Sequence, residues 1–141
     1  MGHDAVEIDF VMPWVDGSDP AWREEFLKYR ALQAPQGEPA CDTGTAAGAV
    51  DASEERYRDW DTLRYWFRGV ERFAPWVNRI HFITWGHLPA WLDTAHPKLH
   101  VVRHADYIPS PYLPTFNSCP IELNMHRIEG LAEHFVYFND D

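Results

Sequence analysis

Only two cysteines occur in this chain, Cys41 and Cys119, and they stand far apart in unlike surroundings. That excludes a disulfide framework or a CxxC metal site and points to a reducing compartment. Basic residues are scarce as well: 12 Lys and Arg face 22 Asp and Glu, a formal net charge of −10. Nucleic-acid and anionic-membrane surfaces draw their affinity from basic patches, so neither partner fits. Any phosphate bound here must be held by a few local arginines, by backbone N–H groups or by a metal. No apolar run approaches the ~20 residues of a membrane span. Met1-Gly2-His3-Asp4 opens without the basic segment or apolar core of a signal peptide. These absences predict a soluble cytoplasmic domain, with peripheral attachment to the inner face of the membrane left open. Also missing are the zinc HExxH, the G-x-S-x-G nucleophile elbow and the GxxxxGKS/T phosphate loop.

What the chain has in quantity is aromatic and apolar character. Aromatics make up 15% of its 141 residues, with seven Trp, and hydrophobic residues 45%. That length fits one domain with a real core. The apolar run Val6 to Val15 reads as a strand ended by the turn pair Asp16-Gly17. Pro20 suits the first turn of a helix capped by Asp19, and Trp22, Phe26 and Tyr29 fall at helical spacing as far as Leu32. Residues 33–55 are dominated by Ala, Gly, Pro, Thr and acids. Such a stretch cannot bury enough surface to offset its ordering entropy, which predicts a flexible loop with Cys41 an incidental thiol.

From Trp60, the set Leu63, Phe67, Val70 and Ala74 predicts an amphipathic helix, capped by Asp59 or Asp61 and closed by Pro75. Val77 to Trp85 reads as a buried strand, Leu88 to Leu92 as a short turn of helix, and Leu99 to Val102 as another strand. A helix capped by Ser118, with Pro120 in its first turn, is expected to carry Ile121, Met125 and Ile128 on its core face and to stop at Gly130. The strand Phe135 to Phe138 then delivers Asn139-Asp140-Asp141. Strands alternating with helices predict an α/β fold, a mostly parallel sheet flanked by helices. Ligands of such sheets bind beyond the carboxyl ends of the strands. Three polar clusters fall there: Asp16 to Asp19, Thr84 to His87, and Asn139 to Asp141.

Each cluster admits a chemical and a plainer reading. Asp140 and Asp141, directly after an apolar strand, can hold Mg²⁺ or Mn²⁺, hard cations that bridge carboxylates to phosphates. They also read as a solvated turn. Neighbouring side chains on an extended chain point opposite ways, so one Asp would bind and the other support it. Around Trp14, Gly17 lets backbone approach a ligand and Asp16 can bind a sugar hydroxyl. Asp19 is fully explained as a cap, and Trp14 reads either as core or as a base-stacking platform. Asn117 and Ser118 open the next helix, where Glu122 and His126 share a face. His126 is a candidate acid or base and Arg127 a phosphate clamp, and the same residues also read as a solvated ion-pair face. Arg64 and Arg68, four apart, repel on an isolated helix and invite an anionic partner, a place Asp61 and Glu71 can also fill.

Taken together, these segments resemble the Stealth family. Ile8-Asp9-Phe10-Val11 with Trp14-Val15-Asp16-Gly17-Ser18-Asp19-Pro20 is similar to its first conserved region. Arg58-Asp59, Leu63-Arg64-Tyr65, Ala74-Pro75-Trp76-Val77 and Pro89-Ala90-Trp91-Leu92 resemble the second. So do Leu113 to Ser118, His126-Arg127-Ile128, Gly130-Leu131 and Tyr137 to Asp141. The family includes bacterial capsular and exopolysaccharide phosphotransferases and the lysosomal-enzyme N-acetylglucosamine-1-phosphotransferase. The resemblance implies a fold similar to nucleotide-sugar-binding (GT-A-like) glycosyltransferases. It implies transfer of a hexose-1-phosphate from a nucleotide-sugar, a UDP-sugar first among them, to a glycan hydroxyl with Mg²⁺ or Mn²⁺ as cofactor. Carried over by motif, Trp14, Asp16, Gly17, Asp19, Arg64, Asn117 and Ser118 belong to the donor site and Asp140 and Asp141 to the metal. Asp140, His126 and Arg127 are the catalytic candidates. Many bacterial members have His where this chain has Cys119. The family's third and fourth conserved regions have no counterpart in these 141 residues. The expectation is thus residues 1–141 as the donor and metal half of one sugar-phosphate transferase domain. Two alternatives stand beside it: a non-catalytic remnant binding a nucleotide-sugar or partner protein, and an ordinary glycosyltransferase.

Overall fold

The computed structural model describes residues 5–33 and 57–140. The loop expected at 33–55 lies, but for Gln33, outside the described residues, as do Cys41 and Asp141. Four strands, β1 (Ile8–Pro13), β2 (Ile80–Thr84), β3 (Leu99–Arg103) and β4 (His134–Tyr137), form one sheet in the order β3-β2-β1-β4. All three pairings are parallel, with Phe10 beside Ile80, Phe10 beside Val136 and Ile83 beside Val102. This is the α/β architecture the alternation of elements predicts, and it accords with a glycosyltransferase-like sheet.

A parallel sheet needs cover on both faces, and the side-chain alternation supplies it. Phe10, Met12, Ile80 and Phe82 face α2 (Leu63–Phe73), where Leu63, Trp66, Phe67 and Val70 pack on them. Val11, Ile83 and Val102 face the other way, against Tyr107, Ile108 and Ile128. Phe82 is fully buried in this sandwich, which contributes about 1.5–3 kcal/mol. All five residues of the inner strand β2 are buried, whereas the edge strand β4 is mostly exposed. No helix among the described residues is long and apolar enough to cross a membrane.

The helices show where local chemistry overrides periodicity. α1 (Pro20–Gln33) starts as expected, with Asp19 Oδ1 accepting from Trp22 N at 2.9 Å. Its Trp22 and Phe26 pack on Tyr57 and Phe116 in a separate aromatic cluster at the end of the sheet. α2 begins at Leu63, not Trp60, because Asp61 adopts a left-handed φ of 54°. Thr62 precedes the helix, and Asp59 is spent accepting from Asp61 N at 3.0 Å. Leu88 to Leu92 forms no helix, only a turn closed by Leu92 N donating to Pro89 O at 3.0 Å. After β3 comes the one-turn helix α3 (His104–Tyr107). The helix expected across 118–128 is broken: α4 (Ser118–Leu123) is capped by Asn117, not Ser118, and a 3₁₀ turn spans Met125–Arg127. Asn124 lies at the break, its side chain donating to Pro120 O at 2.8 Å and so competing with the backbone ladder.

Candidate functional site

Because every strand runs the same way, all four carboxyl ends open on one side of the sheet. There lie the Trp14–Asp19 loop after β1, the Trp85–His87 loop after β2, His104 after β3, and Asn139 and Asp140 after β4. The chain builds β1, β2 and β3 in one direction and then places β4 on the opposite side of β1. The reversal falls between β1 and β4, the position where open α/β sheets form their binding crevice. A cavity of about 150 Å³ sits there, with Trp14, Tyr137, Asn139 and Asp140 among its walls. His104, Thr115, Asn117 and Ser118 line it as well.

Asp140 is drawn to the end of β1: its Oδ2 accepts from Val15 N at 3.3 Å. The neighbouring Asp16 turns its carboxylate onto its own loop, accepting from Ser18 N at 2.9 Å and Ser18 Oγ at 2.6 Å. Asp16 N donates to His87 Nε2 at 2.9 Å, which leaves the proton of a neutral His87 on Nδ1. Gly17 N donates to Tyr57 O at 2.7 Å, and a Cβ on Gly17 would stand 2.8 Å from both Tyr57 O and Tyr57 Cβ. The glycine is therefore required by this close approach, a contact between two segments of the protein. Asn117 Oδ1 accepts from Cys119 N at 2.9 Å, so its side chain both caps α4 and lines the cavity.

Trp14 is core by burial, packed with Met12, Leu63 and Phe82, yet its indole N–H meets no hydrogen-bond partner. Two further buried atoms share that condition, His87 Nδ1 and His104 Nδ1, and His87 lies 5.0 Å from Trp14 between ring centroids. A buried polar atom left unpaired costs about 1–3 kcal/mol, and native folds rarely tolerate it without reason. Burial pushes the His104 imidazole down to about 4 and lowers that of His87. His104 was not among the residues singled out by motif. The signal was present, since it directly follows β3, but the spacing of the histidines alone does not show which strand end they occupy.

Other predicted residues lie elsewhere. Arg64 faces a groove on the outer side of α2, its Nε 3.3 Å from Asp61 Oδ1 and its guanidinium 5.3 Å from the Trp91 ring centroid. His126 and Arg127 are exposed, and His126 Nδ1 donates to Leu123 O at 3.1 Å. Glu122, expected to share a face with His126, instead accepts from Tyr137 Oη at 3.1 Å. A wider cleft of about 500 Å³ flanks the Asp16–Ser18 loop and is lined by Arg23, Arg30 and Arg58. It shares Trp22 and Tyr57 with the crevice. Asp16 and Asp59 line the same cleft, so three arginines and two acids meet there.

No group of three or more His, Cys, Asp or Glu among the described residues can hold a metal by itself. A carboxylate at the crevice nonetheless fits Mg²⁺ or Mn²⁺. Such ions are commonly held by one or two carboxylates, with water and substrate phosphates completing the shell.

Conserved region 1 of the Stealth proteins matches residues 6–32 and conserved region 2 matches residues 56–141. The capsular polysaccharide phosphotransferase WcwK of Streptococcus pneumoniae is 56% identical over 134 residues, 95% of this chain and 37% of the relative. The receptor polysaccharide phosphotransferase WefC of Streptococcus oralis is 48% identical over 141 residues, 96% of this chain and 37% of its own length. The capsular polysaccharide phosphotransferase CpsJ of Streptococcus thermophilus is 49% identical over 137 residues, 95% of this chain and 52% of the relative. The chain thus spans between 37% and 52% of these relatives' lengths. With region 2 covering more than half of it, the chain belongs to the Stealth protein family.

Proposed function

We propose that the crevice between β1 and β4 binds a nucleotide-sugar, a UDP-sugar first, and that the whole protein transfers hexose-1-phosphate to a glycan hydroxyl in capsule or exopolysaccharide synthesis. The observation that carries this reading is the carboxylate of Asp140, set against the end of β1 at the sheet's topological reversal. The names of the relatives, all polysaccharide phosphotransferases, support the reaction class. In that reaction the acceptor oxygen bonds to the phosphorus that carries the sugar. The phosphorus–oxygen bond toward the nucleotide breaks, nucleoside monophosphate leaves, and the hydroxyl proton passes to a base. Bound Mg²⁺ or Mn²⁺, held by Asp140 with Asp141 beside it, would offset the charge of the diphosphate.

The chain's own residues bind and orient. Trp14, Asn117 and Ser118 wall the crevice, and Trp22 and Tyr57 line both it and the neighbouring cleft of Arg23, Arg30 and Arg58. Those guanidiniums give an anionic ligand nearby counter-charge that the acidic remainder of the protein does not. Arg64, His126 and Arg127 are not needed for donor binding on this reading. A cytoplasmic placement, peripheral to the inner membrane face, belongs to the same proposal.

Calorimetry of the chain with UDP-glucose and Mn²⁺, wild type against Asp140→Asn, tests it. The expected outcome is at least tenfold weaker Mn²⁺-dependent binding in the variant, and equal affinities would overturn the assignment of Asp140. With the full-length pneumococcal relative, the nucleotide released settles the chemistry. UMP marks phosphoryl transfer, while UDP would mark attack at the anomeric carbon.

A further inference from the structure

Two polar atoms in the crevice, the Trp14 indole N–H and His104 Nδ1, have no role in the reading above, on which the following rests. Trp14 is 6% exposed and His104 8%, both line the cavity, and Trp14 Nε1 and His104 Nδ1 have no hydrogen-bond partner. They come from different strands, Trp14 following β1 and His104 following β3, so the sheet itself brings them to one cavity. Of the other polar walls, Thr115, Asn117, Ser118 and Asn139 are uncharged and Asp140 is a carboxylate, so no Lys or Arg side chain lines the cavity.

The chemistry of the pair narrows what it recognises. An indole offers one N–H donor and no acceptor. Burial holds His104 neutral near pH 7, so its ring presents one donor and one bare nitrogen. A hydroxyl complements that set, accepting from the indole and donating to the imidazole. A phosphate oxygen does not, since it needs cationic or N–H partners on every side and has no proton to give. The volume of about 150 Å³ is also small beside the ~300 Å³ at which drug-sized sites begin, and suits a single sugar ring. We propose that Trp14 and His104 form a hydroxyl-recognising pair that orients one sugar ring of the donor, either the ribose of the nucleotide or the transferred hexose.

Binding to the 141-residue chain is measured for UDP, 2′-deoxy-UDP and UDP-glucose, with wild type, His104→Phe and His104→Asn. The phenyl ring keeps the buried bulk and removes both nitrogens, and Asn restores a polar group near the Nδ1 position. If the ring is ribose, His104→Phe weakens UDP about tenfold and the 2′-deoxy ligand shows no further loss in that variant. If it is the hexose, UDP is unaffected and UDP-glucose loses about tenfold. In both cases His104→Asn recovers at least half of the loss on a logarithmic scale. An independent readout separates this proposal from the donor reading: the indole ¹⁵N–H resonance of Trp14, assigned with Trp14→Phe, under titration with ribose 5-phosphate and methyl glucoside. A shift in wild type that is lost in His104→Phe supports the pair even where no UDP-sugar binds. An indole resonance unmoved by every sugar, or equal affinities in wild type and His104→Phe, overturns it.

Discussion

Two groups of buried polar atoms are built on this sheet, both around histidines, and their hydrogen bonding differs. In the first, Asp9 Oδ2 accepts from His81 Nε2 at 2.7 Å and from Ala132 N at 2.8 Å. Asp9 Oδ1 accepts from Asn78 Nδ2 at 2.8 Å, and His81 Nδ1 meets His100 Nδ1 at 2.9 Å. A carboxylate can only accept, so His81 carries its proton on Nε2 and accepts at Nδ1 from His100. Asp9 and His81 thus have every side-chain polar atom paired. In the second, at the strand ends, Trp14, His87 and His104 each keep a buried polar atom with no partner. The closed network ties β1 to β2, β3 and the approach to β4; the open one, on the proposal above, is completed by a sugar hydroxyl. Burial is common to the two groups, and hydrogen-bond completeness is where they differ.

The sharpest way to break this contrast is to open the closed network. Asp9→Ala strands His81 Nε2, Asn78 Nδ2 and Ala132 N together, inside a site with no solvent access to Asp9 or His81. Removing one partner of a buried ionic or charge-assisted group costs about 3–5 kcal/mol. Urea unfolding should show a loss of that size, enough to threaten folding of a marginally stable domain. A loss under 1 kcal/mol would mean the network is incidental.

Acid titration probes both groups at once. Burial lowers the imidazole of His104 to about 4 and lowers that of His81, so the folded state binds fewer protons than the unfolded chain below about pH 6.5. Stability is therefore full above that value and declines as pH falls toward 4, by about 3 kcal/mol at pH 4 for His104 alone. Burial alone would raise the Asp9 carboxyl, but hydrogen bonds from Ala132 N, His81 and Asn78 outweigh it and hold the group below its usual value. Its contribution is lost at still lower pH, below the ordinary carboxylate range. His104→Phe should flatten the limb between pH 6.5 and 4 in urea-midpoint measurements, and an unchanged slope would contradict the burial of that ring.

At the cleft beside the crevice, Gly17→Ala tests whether the loop after β1 is held by the protein or shaped for a ligand. The added methyl meets Tyr57 O and Tyr57 Cβ at 2.8 Å, and relieving such overlap costs about 1–3 kcal/mol. The clash should separate Tyr57 from Trp22 and Phe26, whose rings now lie 4.9 and 5.1 Å away. Near-ultraviolet circular dichroism would register that loss, and an unaltered spectrum with full stability would show that Tyr57 simply swings aside.

How far the sequence reveals all this depends on the range of the interaction. The sheet is legible because β1 and β2 must be apolar on both faces, and the runs Val6–Val15 and Val77–Trp85 say so directly. Strand ends are legible for the same reason, and Asp140 follows from them. The break at Asn124 is not, because Ile121, Met125 and Ile128 keep helical spacing while one amide competes for the Pro120 carbonyl. Nor is the division of the histidines into paired and unpaired, which depends on register: His81 stands opposite His100 across β2 and β3, and His104 falls one residue past the end of β3. Parallel strands are joined by long crossovers, so no tight turn fixes their register, and the apolar pattern of β2 and β3 leaves it to tertiary packing.

The smallest expected effect lies at His126 and Arg127, where motif resemblance and geometry part company. Both match family motif positions, yet both are exposed, neither lines the strand-end cavity, and the His126 ring is engaged with the carbonyl of Leu123. Exposed side chains with such local contacts change stability by no more than about 0.5 kcal/mol when truncated. His126→Ala and Arg127→Ala should therefore leave the urea midpoint and the UDP-glucose affinity of this chain almost unmoved, within threefold. If turnover of a full-length relative collapses when the matching residues are changed, while donor binding here does not, their part in the reaction comes after the donor is bound. A tenfold loss of donor affinity would instead extend the site from the cavity past the end of α4, and would weaken the proposal that Trp14 and His104 mark where the donor sits.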